Sequence, residues 1–542
     1  MMQRPEGDRL ARVLDYWAAK APDHKAVCYF DSAICYAELQ DLSTTAARSL
    51  LALGVGRGDR VGVLLGNRPE WIVMSMATSY IGAILVPLNT WYKAYELRWT
   101  LGHCGISVLV SADRFLKTDY RALLTAIVPE IENAGTTAIA SPEFPHLKSV
   151  FFLGEAHGRY RSWMDFLDLA HDVSREDFLL VVNAATGDDT AFILYTSGST
   201  ADPKGVMLNG KGVVANGFDL GAARTITSDD LVWLGSPLFY GLGATNAVPA
   251  TFTRGATLVL QGHFDATMAI DVIERTGSTV YYGTGNMTRA ILDDPGFSLA
   301  RVGTLQKGNA GTVAEYKRMT LVEMGVTGAV PAYGLTESYG NATVGCPDDP
   351  LDIKLGTSGR PLPGMEMRIV DPQTGKDLPQ GETGLVLLRG YTTPGYFDNP
   401  EETAKALRPD GFFDTGDLGC LDGEGRFIFH SRLKEVIKSG GINVSPVEIE
   451  QLIAAHPDVR DAYVVGVGHP VKGELVVAFV DPSARLSEDD IQSYVKERAA
   501  SFKVPQHVFF RSEASLPRLA SGKVAKFRLA EEARRELGLN IV

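Results

Sequence analysis

Short apolar runs alternate with amphipathic stretches through the first 350 residues of the chain, and few folds tolerate that alternation. The runs 60–65, 108–110, 149–153, 256–260 and 279–282 carry almost no polar residues, as strands covered on both faces do. Between them, segments such as 36–53 and 70–81 read as helices. The pattern predicts an α/β fold of parallel sheets covered by helices. From about 364 to 431 the runs shorten and Gly, Pro and Asp turns separate them, which predicts a β-rich subdomain within an N-terminal domain of residues 1–431. After Arg432 the composition resets. Strands over 435–438, 459–467 and 475–480, helices over 446–455 and 488–500 and a basic tail predict a small α+β C-terminal domain over 432–542.

The chain's 542 residues exceed what one core supports. Acidic residues outnumber basic ones, 65 to 52, for a net charge of −13, which argues against a nucleic-acid partner. The five cysteines, Cys28, Cys35, Cys104, Cys346 and Cys420, form no pair or cluster with metal-ligand spacing, so neither a disulfide framework nor a zinc site is expected. Residues 1–14 are charged throughout and lack a signal-peptide core. The charge-free stretch 71–92 is broken by Gly82 and Pro87, so it reads as a helix followed by a strand and not as a membrane span. The expectation is a cytoplasmic protein with no integral membrane segment. Assembly into a homodimer stays open.

Chemistry concentrates in a few short blocks. The segment 195–206, YTSGSTADPKGV, follows an apolar run and packs small hydroxyl residues and glycine ahead of Lys204. Such a loop wraps phosphate oxygens with N–H and hydroxyl donors while the lysine adds a point charge. It is not the common P-loop, because Pro203 precedes the lysine and no helix start follows. In 333–337, Tyr333 can stack on a base, Thr336 can bond a phosphate oxygen and Glu337 can hold Mg2+. Taken alone, that block reads equally well as a capped strand end. Asp417, after the turn at Gly416, suits a ribose diol; taken alone it is an ordinary turn between strands. Arg432, Lys434 and Lys523 complete the series.

In this order the blocks resemble the adenylate-forming superfamily: acyl- and aryl-CoA synthetases, firefly-type luciferases and peptide-synthetase adenylation domains. The resemblance covers nearly the whole chain. It implies that Thr196, Ser197, Gly198, Ser199, Thr200 and Lys204 hold the β- and γ-phosphates of ATP. It implies that Gly308, Asn309 and Ala310 lie beside adenine, that Tyr333 and Gly334 flank the base, and that Thr336 contacts the AMP phosphate. Glu337 is then the magnesium ligand, Asp417 the ribose ligand, Arg432 a partner of ribose and phosphate, and Lys434 the hinge. Lys438, Ser439, Gly440 and Gly441 resemble the strand lining the pantetheine tunnel of coenzyme A. Lys523 resembles the lysine essential for adenylation, with Thr336 and Glu337 as its catalytic companions.

The sequence departs from the family at Ala201 for glycine, at Tyr240 for histidine, at Arg518 for lysine, and at Gly285-Asn286-Met287 for Pro-Thr-Met. Residues 232–253 carry no charge and are rich in Gly, Pro, Phe and Tyr, and Tyr240, Tyr282, Gly283 and Gly285 are expected to form an acyl pocket in which the glycines make room for a ring. The segment 235–240 lacks the aspartate that would pair an amino-acid ammonium. The expected substrate is therefore a small-molecule carboxylic acid of fatty, alicyclic or aryl type, ligated to CoA with ATP and Mg2+. No carrier segment follows Lys523, which favours free CoA as acceptor. The rival readings are a stand-alone enzyme loading a carrier protein and a nucleotide-binding protein without catalysis.

Overall fold

The computed structural model describes residues 7–134, 138–154, 160–196, 203–439, 442–469, 473–499, 501–519 and 523–539. Two large sheets dominate. One orders its strands Lys204–Asn209, Thr190–Thr196, Ile84–Pro87, Arg60–Leu64, Val108–Ser111, Ser149–Phe152 and Arg161–Ser162. All its pairings are parallel except the first, a hairpin. The other runs Arg360–Pro361, Thr343–Val344, Gly328–Tyr333, Lys307–Gly311, Val280–Tyr282, Leu231–Leu234, Thr257–Leu260, Lys25–Tyr29 and Ser32–Cys35. It is parallel in its middle and antiparallel at both edges.

The charge-free segment is explained by burial within the protein. Helix Pro69–Ile81 has every residue from Trp71 to Ile81 buried and stops at Gly82, whose φ of 70° is left-handed. Strand Ile84–Pro87 follows it in the interior of its sheet. Among the described residues, no helix is long and apolar enough to cross a membrane.

The β-rich region is a four-stranded antiparallel sheet of Glu366–Val370, Gly384–Arg389, Phe413–Leu421 and Phe427–Arg432. Beyond it, Ile442–Val444, Ile437–Ser439, Gly473–Pro482, Val459–His469 and His507–Phe510 form the last sheet. That sheet buries two clusters of its own, one around Ile449, Val464 and Ile491, the other around Val467, Val477 and Leu529. Three details differ from the expectation. A 3-10 turn, Leu433–Glu435, occupies the start of the first expected strand. Helix Glu488–Lys496 ends four residues early. The basic tail folds as helix Lys526–Glu536, held by the narrow stripe of Leu529 and Ala533, too thin an apolar signal to stand out among the charges.

Candidate active site

The expected phosphate loop is the tip of a hairpin. Strands Thr190–Thr196 and Lys204–Asn209 pair antiparallel, with Thr196 opposite Lys204, and Thr196 Oγ1 donates to the Lys204 carbonyl at 3.5 Å. Ser197, Gly198, Ser199, Thr200 and Ala201 lie outside the described residues, as do Gly440 and Gly441. Lys204 is fixed by a segment not singled out in the sequence. Its ammonium pairs with Glu402 and lies 5.4 Å from the centroid of the Tyr396 ring. The Tyr396 hydroxyl donates to Glu337 Oε1 at 2.9 Å, and Thr393 N donates to the Glu337 carbonyl at 2.7 Å. Met207 N donates to the Gly395 carbonyl at 3.1 Å, tying the hairpin to the same segment. Lys204 and a second lysine, Lys405, push the Glu402 carboxyl down to about 2. A signal was present: Asn399 before Pro400, with two glutamates in the first turn, marks the start of helix Pro400–Ala406.

Glu337 follows Thr336 in the 3-10 turn Thr336–Ser338, just past strand Gly328–Tyr333. Among the described residues, no three His, Cys, Asp or Glu side chains cluster to hold a metal. One carboxylate, joined through Tyr396 to a lysine expected to meet phosphate, is a donor set that fits Mg2+, which keeps waters and takes its other oxygens from phosphates.

A second group of side chains meets where the end of strand Gly328–Tyr333 reaches strands Phe413–Leu421 and Phe427–Arg432. Tyr333 is buried, its ring 4.5 Å from Phe427 and 5.9 Å from Phe429. Its hydroxyl donates to Asp417 Oδ2 at 2.6 Å. The other Asp417 oxygen is buried and accepts no hydrogen bond, with Arg432 Nε 3.6 Å away. Burial raises the Asp417 carboxyl, and the hydrogen bond from Tyr333 and the charge of Arg432 only partly offset it. Lys523 joins this group from the far end of the chain. It keeps an exposed edge, yet the protein crowding its ammonium lowers its pKa, and the charge of Arg432 lowers it further against the pull of Glu435 and Asp417. The turn carrying it is closed by Leu519 N donating to the Lys523 carbonyl at 2.8 Å.

Gly308 has a φ of 137°, and a Cβ there would lie 2.1 Å from the Tyr281 carbonyl, so only glycine permits this strand approach. Asn309 Nδ2 donates to the Gly283 carbonyl at 3.4 Å, which brings the expected adenine segment beside the expected acyl segment; Ala310 is buried in the next position. The expectation that glycines make room for a substrate ring is corrected here. A Cβ on Gly283 would lie 2.1 Å from the Tyr281 hydroxyl, and one on Gly285 2.1 Å from the Tyr316 ring. The chain's own tyrosines take that space. Tyr240 is half-buried, accepts from Asn89 Nδ2 at 3.2 Å and packs against Phe239 and Trp91. Tyr282 is fully buried and bonded to Arg224, a residue the sequence offered no reason to notice.

Lys434 sits in the turn Leu433–Glu435, between the four-stranded sheet and the last one; Lys438 and Ser439 belong to strand Ile437–Ser439. Just past Lys434, Glu435 lies 3.6 Å from Lys526, which holds Glu450 at 2.7 Å.

Comparison with known proteins supplies an independent account. Residues 14–397 match the AMP-binding enzyme family, and residues 448–523 match the AMP-binding enzyme C-terminal domain. The chain is 34% identical over 96% of its length, and 97% of the relative's, to the 3-[(3aS,4S,7aS)-7a-methyl-1,5-dioxo-octahydro-1H-inden-4-yl]propanoyl:CoA ligase of Mycobacterium tuberculosis. It is 30% identical to the bovine mitochondrial medium-chain acyl-CoA ligase ACSF2, covering 98% of this chain and 88% of that one. Its fold is similar to that of ATP-bound MatB from Rhodopseudomonas palustris, with a TM-score of 0.82 and 28% identity over 97% of this chain and 99% of the other.

Proposed function

We propose a substrate and a division of labour for a chain that belongs to the AMP-binding enzyme family, in the acyl-CoA synthetase branch of the adenylate-forming superfamily. The enzyme is an AMP-forming acid–CoA ligase that uses ATP and CoA. Its acid has an apolar body, fatty, alicyclic or aryl. Supporting this are the uncharged segment 232–253, the missing aspartate in 235–240 and relatives named for a medium-chain acid and for a ring-bearing propanoate.

A carboxylate transfers its acyl group poorly because oxide is its leaving group. Joined to the α-phosphorus of ATP, with pyrophosphate expelled, it leaves as AMP instead. Bringing a carboxylate to a polyanion requires cancelling their repulsion, so catalysis is mostly positioning and fixed charge. The observation that carries the reading is that Lys523, Arg432, Asp417 and Tyr333 interact in one place although the sequence separates them widely. In it, Lys523 lies between the acid's carboxylate and the α-phosphate. Lys204 meets the leaving pyrophosphate. Tyr333 stacks on adenine, with Gly308, Asn309, Ala310 and Gly334 around the base. The unbonded Asp417 oxygen accepts from the ribose hydroxyls, and Arg432 spans ribose and phosphate. Thr336 bonds the α-phosphate. Glu337 would hold Mg2+, which supplies charge neutralisation on the phosphates when bound.

Thioester formation then needs a thiol at the adenylate carbonyl. In the same reading the unit beginning at 432 turns about Lys434 to bring the strand from Lys438 to Gly441 to the site. A panel of carboxylic acids scored for CoA-dependent AMP release tests the substrate class. Preference for amino acids or dependence on a phosphopantetheinylated carrier protein in place of CoA would overturn it. Absence of ATP binding by calorimetry would revive the non-catalytic reading.

A further inference from the structure

Arg224 is fully buried, and among the described residues no carboxylate pairs with it. Its Nη1 donates to Asn246 Oδ1 at 2.9 Å and to the Tyr282 hydroxyl; its Nη2 donates to Asn341 Oδ1 at a long 3.4 Å. The Nε–H has no acceptor. The guanidinium lies 4.6 Å from the Tyr282 ring centroid. A guanidinium stays protonated inside a protein, and burying it among neutral dipoles is unfavourable without a compensating anion. The surroundings repeat the deficit: Asn216 Nδ2 donates to the Asn341 carbonyl at 2.7 Å, yet Asn216 Oδ1 is buried without a partner.

The location gives this deficit a meaning. Asn246 lies in the π-helical stretch Leu242–Ala247, directly after Tyr240 and Gly241. Tyr282 precedes Gly283. Asn341 backs onto the nucleotide segment so closely that a Cβ on Gly334 would lie 2.5 Å from its Cα. Two partners of Arg224, Asn246 and Tyr282, thus come from the expected acyl segments and the third, Asn341, from the nucleotide side, and Arg224 reaches their meeting point from the end of helix Gly210–Ala223. The glycines of that helix let it come close: a Cβ on Gly217 would lie 2.5 Å from Pro249 Cβ.

We propose that Arg224, oriented by Asn246 and Asn341, determines specificity by receiving a second acceptor oxygen of the acid, a carbonyl or carboxylate borne at the end remote from the reacting carboxyl. This rests on the acid–CoA ligase reading and refines it: an apolar body with an oxygen-bearing far end. A site built to bond such an oxygen discriminates strongly against analogues lacking it, because its own donors are then left unpaired.

The test uses the full-length enzyme and three matched acids: cyclohexanepropanoate and its 4-oxo and 4-carboxy analogues, scored by CoA-dependent AMP release. Wild-type kcat/KM is expected to favour at least one oxygenated acid by about tenfold or more. A gain confined to the 4-carboxy acid identifies a carboxylate; an equal gain for both identifies any acceptor oxygen. Arg224→Met should abolish the preference with the KM for ATP unchanged, and Arg224→Lys should retain part of it. Equal wild-type kcat/KM for all three overturns the proposal, as does Arg224→Met lowering all three alike, the mark of a structural role. Turnover of a long-chain apolar acid with none of the three accepted also overturns it. If Arg224→Met fails to fold, the wild-type ranking and Arg224→Lys decide. Failure of every acid in the wider panel, with ATP still bound, defeats the ligase reading itself.

Discussion

Lys523 carries the first half-reaction in this account, and its surroundings make a distinctive demand. Lys523→Ala should lower ATP–pyrophosphate exchange by about 10²–10³-fold, the scale of losing one preorganised charge donor. Thioester formation from supplied acyl-adenylate should suffer far less, and an unchanged exchange rate refutes the assignment. The pH dependence has a definite sign. The charged ammonium is the working form, and crowding and Arg432 hold its pKa below the ordinary lysine range. Exchange should therefore fall as pH rises, on an alkaline limb beginning earlier than an unperturbed lysine would give, and Lys523→Arg should remove that limb.

At the scale of elements, the segment running from Thr393 into helix Pro400–Ala406 is the brace of the proposed phosphate site. Tyr396 touches both Lys204 and Glu337, and Glu402 pairs with Lys204. Tyr396→Phe should raise the Mg2+ concentration needed for half-maximal activity, by losing the bond that aims Glu337. Glu402→Gln should raise the KM for ATP by about tenfold, since Lys204 loses its anchor; unchanged kinetics in both variants would show the brace to be idle. The depressed Glu402 carboxyl stays ionised above its unfolded-state pKa and loses that pairing only as pH falls towards 2, so the brace is constant across neutral pH. Little of this was legible beforehand. The alternation of buried strands was, because strands covered on both faces leave unbroken apolar runs, and so was the family, because small residues, glycine and lone charges punctuate strand ends in its order. The brace and Arg224 were not. Lys204–Glu402 joins residues almost two hundred apart, and a single arginine after a helix looks like any solvated surface charge. The glycines 283 and 285 misled for the converse reason: a missing side chain does not say which neighbour, substrate or protein, takes the room.

At the scale of the whole molecule, the last sheet owns its hydrophobic clusters, so it can move as a unit. Across its seam with the rest, Tyr316, on helix Ala314–Arg318, feels the charges of Asp461, Arg518, Glu513 and Glu450. Lys434→Pro should freeze the backbone at the pivot, leaving pyrophosphate exchange near wild type while acyl-CoA production collapses; equal losses in both assays would place the pivot elsewhere. Asp417 and Arg432 face each other across the last two strands of the four-stranded sheet, two residues before Lys434. Whatever the lone oxygen of Asp417 grips is thus gripped at the root of the proposed swing. With Asp417 on the ribose, as proposed, the sugar and not the phosphates alone helps time the turnover, and 2′-deoxy-ATP should register as a mistimed clock more than as a weak hold.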